Sequence, residues 1–249
     1  MTAFLIALRF LTILPIGRHI QVDSALVVRS SKFYPLVGLL LGGMSWGFYG
    51  LVRSAFPVDL AVGLLLAFWV VMTGALHLDG LADCLDGCYG GKNPGDRLRI
   101  MKDVHVGTMG IVGLILLLGL KFLALKQFLS SQAPVYWLLL IPAAGRWIPV
   151  FLSAFWPYAR PEGGLGQGLV QEMRKQELFW ATLLAWGLVI GLAGGPGLLL
   201  MGLQLLWSLL NGWFFSRKLG GITGDTLGAA IETGELAGLL LLAGVAPYV

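Results

Sequence analysis

The chain has 249 residues, 57% of them hydrophobic and only 12% charged, with 36 glycines and a formal net charge of +4. That balance excludes a water-soluble globular domain and describes a polytopic membrane protein. No long basic stripe accompanies the small positive charge, so nucleic acid is excluded as a partner and the lipid bilayer is the expected surrounding.

In chain order, Thr2–Ile16 is apolar except for Arg9 at its middle, and no small-residue cleavage site follows. It reads as an interfacial or re-entrant helix rather than a cleaved leader, with a further membrane crossing as the alternative. Phe33–Val52, Leu60–Leu78, Val135–Trp156, Leu178–Gly194 and Gly197–Phe215 approach the roughly 20 residues needed to cross a hydrocarbon core. Thr108–Leu120 becomes a span only by continuing through Lys121 to Leu129, with that lysine snorkelling or facing protein. The last run, Leu236–Val249, is short for a crossing. The expectation is an all-α integral membrane protein with six or seven transmembrane helices, residues 1–249 forming one domain.

The spans divide the polar segments into two alternating sets. Residues 1–32, 79–107, 157–177 and 216–235 hold 13 of the 17 lysines and arginines, Arg18 among them. The positive-inside rule puts this set in the cytoplasm and the chain in the plasma (inner) membrane. Almost every carboxylate shares that side, so active-site helices and loops are expected there. Cys84 and Cys88, four residues apart with no second cysteine pair, read as small packing residues.

The densest chemistry lies between Gly74 and Gly110, where five aspartates follow an apolar run. The helix of Leu60–Leu78 is expected to continue through Asp86, to break at Gly90–Pro94, and to resume over Asp96–Asp103. Asp79, Asp83 and Asp86 are spaced i, i+4 and i+7, which at about 100° per residue places them within an arc of roughly 60°. Three like charges on one face repel unless a cation lies between them, and hard oxygen ligands at one-turn spacing suit Mg²⁺. A second acidic group, Asp225, Glu232 and Glu235, follows a glycine-rich turn with Gly224 and Thr226, the kind of loop whose amides meet an anion at a helix start.

Lys102 beside Asp103, Arg97, and Arg217 are candidate phosphate partners, with membrane anchoring as the alternative role. Arg146 lies mid-span, where an arginine costs about 2.5 to 3.5 kcal/mol. It is expected to point inward, toward a carboxylate or a bound phosphate. His77 is either a general base beside Asp79 or an interfacial histidine bonded to backbone.

Three segments carry a family resemblance: HLDGLADCLDG at His77–Gly87, IMKDVHVGTMG at Ile100–Gly110, and GGITGDTLGAAIE at Gly220–Glu232. Together with RFLTILPIG at Arg9–Gly17, YPLVGLLLG at Tyr34–Gly42 and ARPEGGLGQG at Ala159–Gly168, the chain resembles the cobalamin synthase family, the adenosylcobinamide-GDP ribazoletransferases. The resemblance implies a Mg²⁺-dependent membrane phosphotransferase that joins adenosylcobinamide-GDP to α-ribazole or its 5′-phosphate and releases GMP. The product would be adenosylcobalamin or its 5′-phosphate. A second copy of the chain, or other cobalamin-pathway enzymes, are further partners this reading admits.

On that reading Asp79, Asp83, Asp86 and Asp225 hold metal, while His77, Lys102 and Asp103 join the aspartates in catalysis. Arg97, Arg146, Arg217, Gly224, Thr226 and Glu232 bind substrate beside Asp225. Where the family commonly shows Asp-Ser-Arg, this chain has Asp103-Val104-His105, replacing an arginine with a histidine. The rivals are a CDP-alcohol phosphotransferase or membrane prenyltransferase, whose motif spacing does not match, and a corrinoid-binding transporter, for which carboxylates near the bilayer midplane would be expected.

Overall fold

The computed structural model describes residues 1–17, 19–131, 133–164 and 166–245; Arg18 and the end of the final apolar run, 246–249, lie outside the described residues. Helices α1 (Thr2–Leu11), α2 (Ser24–Ser31), α3 (Tyr34–Arg53) and α4 (Val58–Met72) lead into α5 (Leu76–Gly90) and α6 (Pro94–Ile100). They are followed by α7 (Thr108–Leu129), α8 (Leu140–Gly145), α9 (Ile148–Phe155), α10 (Gln167–Gln171), α11 (Lys175–Leu219) and α12 (Gly224–Val245). Among the described residues, five helical segments are long and apolar enough to cross a membrane, or six if α4 and α5 count as one bent span.

The 45 residues of α11 do not form one rod. Gly194 adopts φ 57°, ψ −124°, and Pro196 follows. A Cβ placed on Gly197 would lie 2.3 Å from the carbonyl oxygen of Val189, eight residues earlier, so the chain reverses here into a hairpin. Along a straight helix that separation would be about 12 Å. Its two arms correspond to the expected runs Leu178–Gly194 and Gly197–Phe215, and counting them separately gives the six or seven crossings expected from the sequence.

Three expectations change. The helix entering the aspartate segment does not continue straight: Gly74 and Ala75 both have positive φ, and α5 leaves α4 at 86°. After this turn α5 packs across the starts of α7 and α12. Val135–Trp156 is a 3₁₀ turn (Val135–Leu139) followed by the short helices α8 and α9, Pro142 and Pro149 preventing one continuous backbone ladder. The final span begins at Gly224 rather than Leu236, because Glu232 and Glu235 are paired within the bundle and so can be buried.

The amphipathic N-terminal segment forms α1, which packs its buried face, Ile6 to Leu8 and Leu11, against α2 and α3. Lys121 faces protein, with 2% of its surface exposed. Both cysteines are free, Cys84 buried in the helix contacts of α5.

Candidate active site

Two close approaches assemble the polar end. Gly80 of α5 has so little room that a Cβ there would sit 2.7 Å from the Asp225 carbonyl oxygen, which presses the Asp79–Asp83 turn against the start of α12. On the other side, Asp86 accepts the backbone N–H groups of Gly107 (2.6 Å) and Gly110 (2.8 Å), capping α7 from a neighbouring helix. Orphan amides at a helix start favour such an anion. Asp86 thus joins the first two motif segments.

The segment after α9 is tied to the turn before α12. The amide of Ile222 donates to Pro157 O and that of Ala159 to Ile222 O, each at 2.9 Å. Thr223 and Thr226 then cap α12 reciprocally: Thr226 N–H donates to Thr223 Oγ1 at 3.3 Å, and Thr223 N–H to Thr226 Oγ1 at 2.8 Å. Thr226 is therefore a buried helix cap. Arg160, carried on the docked segment, forms an ion pair with Asp225 and keeps a buried Nε with no partner among the described residues.

A cavity of about 150 Å³ opens between these elements. Its lining is polar at His77, Asp79, Arg160 and Asp225, and the remainder, drawn mainly from α1, α3, α10 and α12, is largely apolar. His77 is buried, and its Nδ1 has no hydrogen-bond partner among the described residues. Asp83 stands one turn beyond Asp79. Burial first, then the charges of Asp225 and Asp79, pushes its carboxyl up to about 7.

The other expected site residues divide into two groups. Arg146 does point inward, toward Glu235, while Lys121 contacts Glu232 at 2.6 Å and Glu235 at 2.8 Å. This quartet of two cations and two carboxylates is buried in the bundle beside a void of about 20 Å³, room for about one water. Glu232 and Arg146 are thus engaged with each other's neighbours rather than lining the larger cavity. Glu232 and Glu235 also depart from the expectation that carboxylates gather at the polar ends; their cationic partners neutralise them.

Outside the cavity, Lys102 pairs with Glu162 on the surface, and exposed Asp103 accepts from the backbone and ring of His105, which holds its carboxyl below the usual range. Arg97 donates to Lys218 O at 2.8 Å and Gly91 O at 3.1 Å, bracing α6 against the end of α11. Arg217 lies over the Trp213 ring, 4.9 Å from its centroid. The cavity arginine, Arg160, was absent from the expected site residues; its only sequence signal is its place in the ARPEGGLGQG segment.

As a donor set, Asp79 and Asp83 offer carboxylates without partners among the described residues, and Asp225 has an oxygen beyond the one bonded to Arg160. Hard oxygens and mutual repulsion suit a divalent cation. Among the described residues, no three acidic, histidine or cysteine side chains already stand as a metal-holding group.

A family model described as cobalamin-5-phosphate synthase matches residues 3–243. The chain is similar to an adenosylcobinamide-GDP ribazoletransferase of Ectopseudomonas mendocina, 41% identical over 96% of this chain and 97% of the relative. It is likewise similar to proteins of that name from Desulfitobacterium hafniense, 40% identical over 94% of each chain, and Pseudomonas putida strain GB-1, 43% identical over 98% and 99%. No solved structure matches. With identity spread over nearly the whole chain, and the motif segments converging on one polar end, this protein belongs to the cobalamin-5-phosphate synthase family.

Proposed function

We propose that the chain joins adenosylcobinamide-GDP to α-ribazole or its 5′-phosphate, releasing GMP and giving adenosylcobalamin or its 5′-phosphate. The observation that carries this reading is the meeting of three segments distant in sequence, His77–Gly87, Ala159–Gly168 and Gly220–Glu232, at one cavity with acidic and cationic walls. A phosphoanhydride needs that combination: cations for its oxygens and carboxylates for a metal or a proton.

In the reaction a ribose hydroxyl of the ribazole attacks the phosphorus on the corrinoid side of the pyrophosphate. The new O–P bond forms as the bond to GMP breaks, and the hydroxyl proton passes to a base. The 5-phosphate in the family's name supports a 5′ group that is retained, with a different ribose hydroxyl as the nucleophile rather than the 5′ group. Asp79, on the cavity wall, or His77 through its unpartnered Nδ1, would take the proton. Arg160 would hold a phosphate oxygen through its Nε while its pair with Asp225 keeps the guanidinium directed into the site.

Asp79, Asp83 and Asp225 would hold Mg²⁺, which supplies charge neutralisation at the pyrophosphate. The concentration of basic residues at this end supports a cytoplasmic orientation in the plasma membrane. The test is detergent-solubilised protein given both substrates and Mg²⁺, with GMP and corrinoid product followed by mass spectrometry. Product that requires both substrates and disappears with a chelator is the expected result. Well-folded protein that binds corrinoid but forms no GMP would refute the transferase reading and favour the transporter.

A further inference from the structure

The cavity has an apolar half that phosphoryl transfer leaves unused. Phe10 and Tyr34 line it with rings stacked at 6.1 Å and 12° between planes, and the buried Leu169 and Ile231 also line it. At about 150 Å³ it is smaller than the roughly 300–1,000 Å³ of pockets that enclose drug-sized ligands, so it admits a flat fragment and not a corrin ring.

Two lining residues carry buried polar atoms that are unpartnered or weakly partnered among the described residues. Tyr34 is wholly buried, and its hydroxyl has no partner among the described residues apart from the nearby Ser30 hydroxyl, which donates to Val27 O and keeps lone pairs able to accept. His77, 4% exposed, leaves Nδ1 without a partner among the described residues. Unpaired buried polar groups are costly, and in a ligand cavity they mark where a ligand's polar edge belongs. Stacked aromatic walls with hydrogen-bonding groups suit a flat nitrogen heterocycle with apolar faces and a ring-nitrogen acceptor.

We propose that this apolar half seats the aromatic base of the ribazole, with Phe10 and Tyr34 selecting which base is accepted. The inference rests on the transferase reading and assigns one end of the smaller substrate to one wall of the cavity. The ribose would then point toward the cavity's polar lining residues Asp79 and Asp225, where its hydroxyl meets the phosphoanhydride. The corrinoid would remain outside the cavity, at its polar mouth.

The experiment compares wild-type protein with the near-isosteric Tyr34→Phe and with Phe10→Leu, which keeps an apolar side chain without the ring; both are checked for monodispersity in detergent. The substrates are ribazoles bearing dimethylbenzimidazole, unsubstituted benzimidazole or adenine. Steady-state GMP release gives KM for each ribazole and for adenosylcobinamide-GDP, and equilibrium dialysis of radiolabelled α-ribazole gives binding without turnover. Phe10→Leu is expected to weaken α-ribazole binding about tenfold, the scale of losing a base–aromatic contact. Tyr34→Phe should change the ranking of the bases, and KM for the corrinoid should stay within about twofold in both variants.

Unchanged ribazole binding in both variants, or a rise confined to the corrinoid KM, would overturn the assignment. Failure of wild-type protein to release GMP would strike the transferase reading instead. In that event dialysis alone decides the subsite: ribazole binding that weakens in Phe10→Leu supports it, and absence of ribazole binding by wild-type protein refutes it.

Discussion

Glu235→Gln should be among the most destabilising single changes in the bundle. Glu235 accepts from both Lys121 and Arg146, and all four side chains of the quartet are at most 7% exposed. Removing its charge leaves two cations facing the single carboxylate of Glu232. Arg146, whose Nε already lacks a partner among the described residues, loses its only described carboxylate. Breaking one partner out of a buried pair costs about 3–5 kcal/mol, and the loss of a doubly engaged carboxylate belongs at the upper end.

Lys121→Met combined with Glu232→Gln removes one charge of each sign and leaves Arg146 with Glu235. That double variant should be more stable than either of its single variants. Unfolding in mixed micelles, followed by tryptophan fluorescence, measures the difference; Trp69 is a local reporter, its ring centroid 5.8 Å from Lys121 Nζ. A Glu235→Gln cost below about 1 kcal/mol, or a double variant as costly as its singles summed, would refute the view that charge balance holds this part of the bundle.

Two further outcomes follow from the polar end. Asp83 keeps its proton in the folded, metal-free protein between the ordinary value of 3.8 and about 7, where the unfolded chain has released it. The folded state then binds more protons, so stability should fall as pH rises through that window, and Asp83→Asn should flatten the slope in pH-dependent thermal unfolding. Asp86→Ala removes the acceptor of two α7 amides and should cost about 1–2 kcal/mol, with faster hydrogen exchange at Gly107 and Gly110 as its local signature.

Much of this architecture was readable from residue patterns because bilayer crossing imposes length and hydropathy on each span. The hairpin of α11 announced itself through Gly194, Gly195 and Pro196, and mid-span Arg146 had to face a carboxylate or an anion. The turn at Gly74–Ala75 had no such marker: one glycine inside an apolar run does not signal an 86° change of direction, and alanine rarely adopts φ 57°. The pairing of Glu232 inside the bundle is not legible in the sequence for a different reason. Its partner Lys121 lies 111 residues earlier, and a helical face shared with Asp225 does not reveal that the two carboxylates meet different cations. Arg160 was hidden likewise, since the contact between Ala159 and Ile222 that brings it to Asp225 is tertiary.

The central claim is that transfer takes place at the cavity between α5, α12 and the Arg160 segment. GMP release from adenosylcobinamide-GDP and α-ribazole should be measured for wild-type protein, Asp225→Asn, Arg160→Ala and Lys102→Ala at saturating Mg²⁺. Loss of a charge-stabilising group at the reacting phosphates should lower kcat/KM about 100-fold or more in the first two variants. Lys102→Ala, which breaks only an exposed pair with Glu162, should stay within about threefold of wild type. Near-normal turnover by well-folded Asp225→Asn and Arg160→Ala would contradict the account and move the chemistry elsewhere.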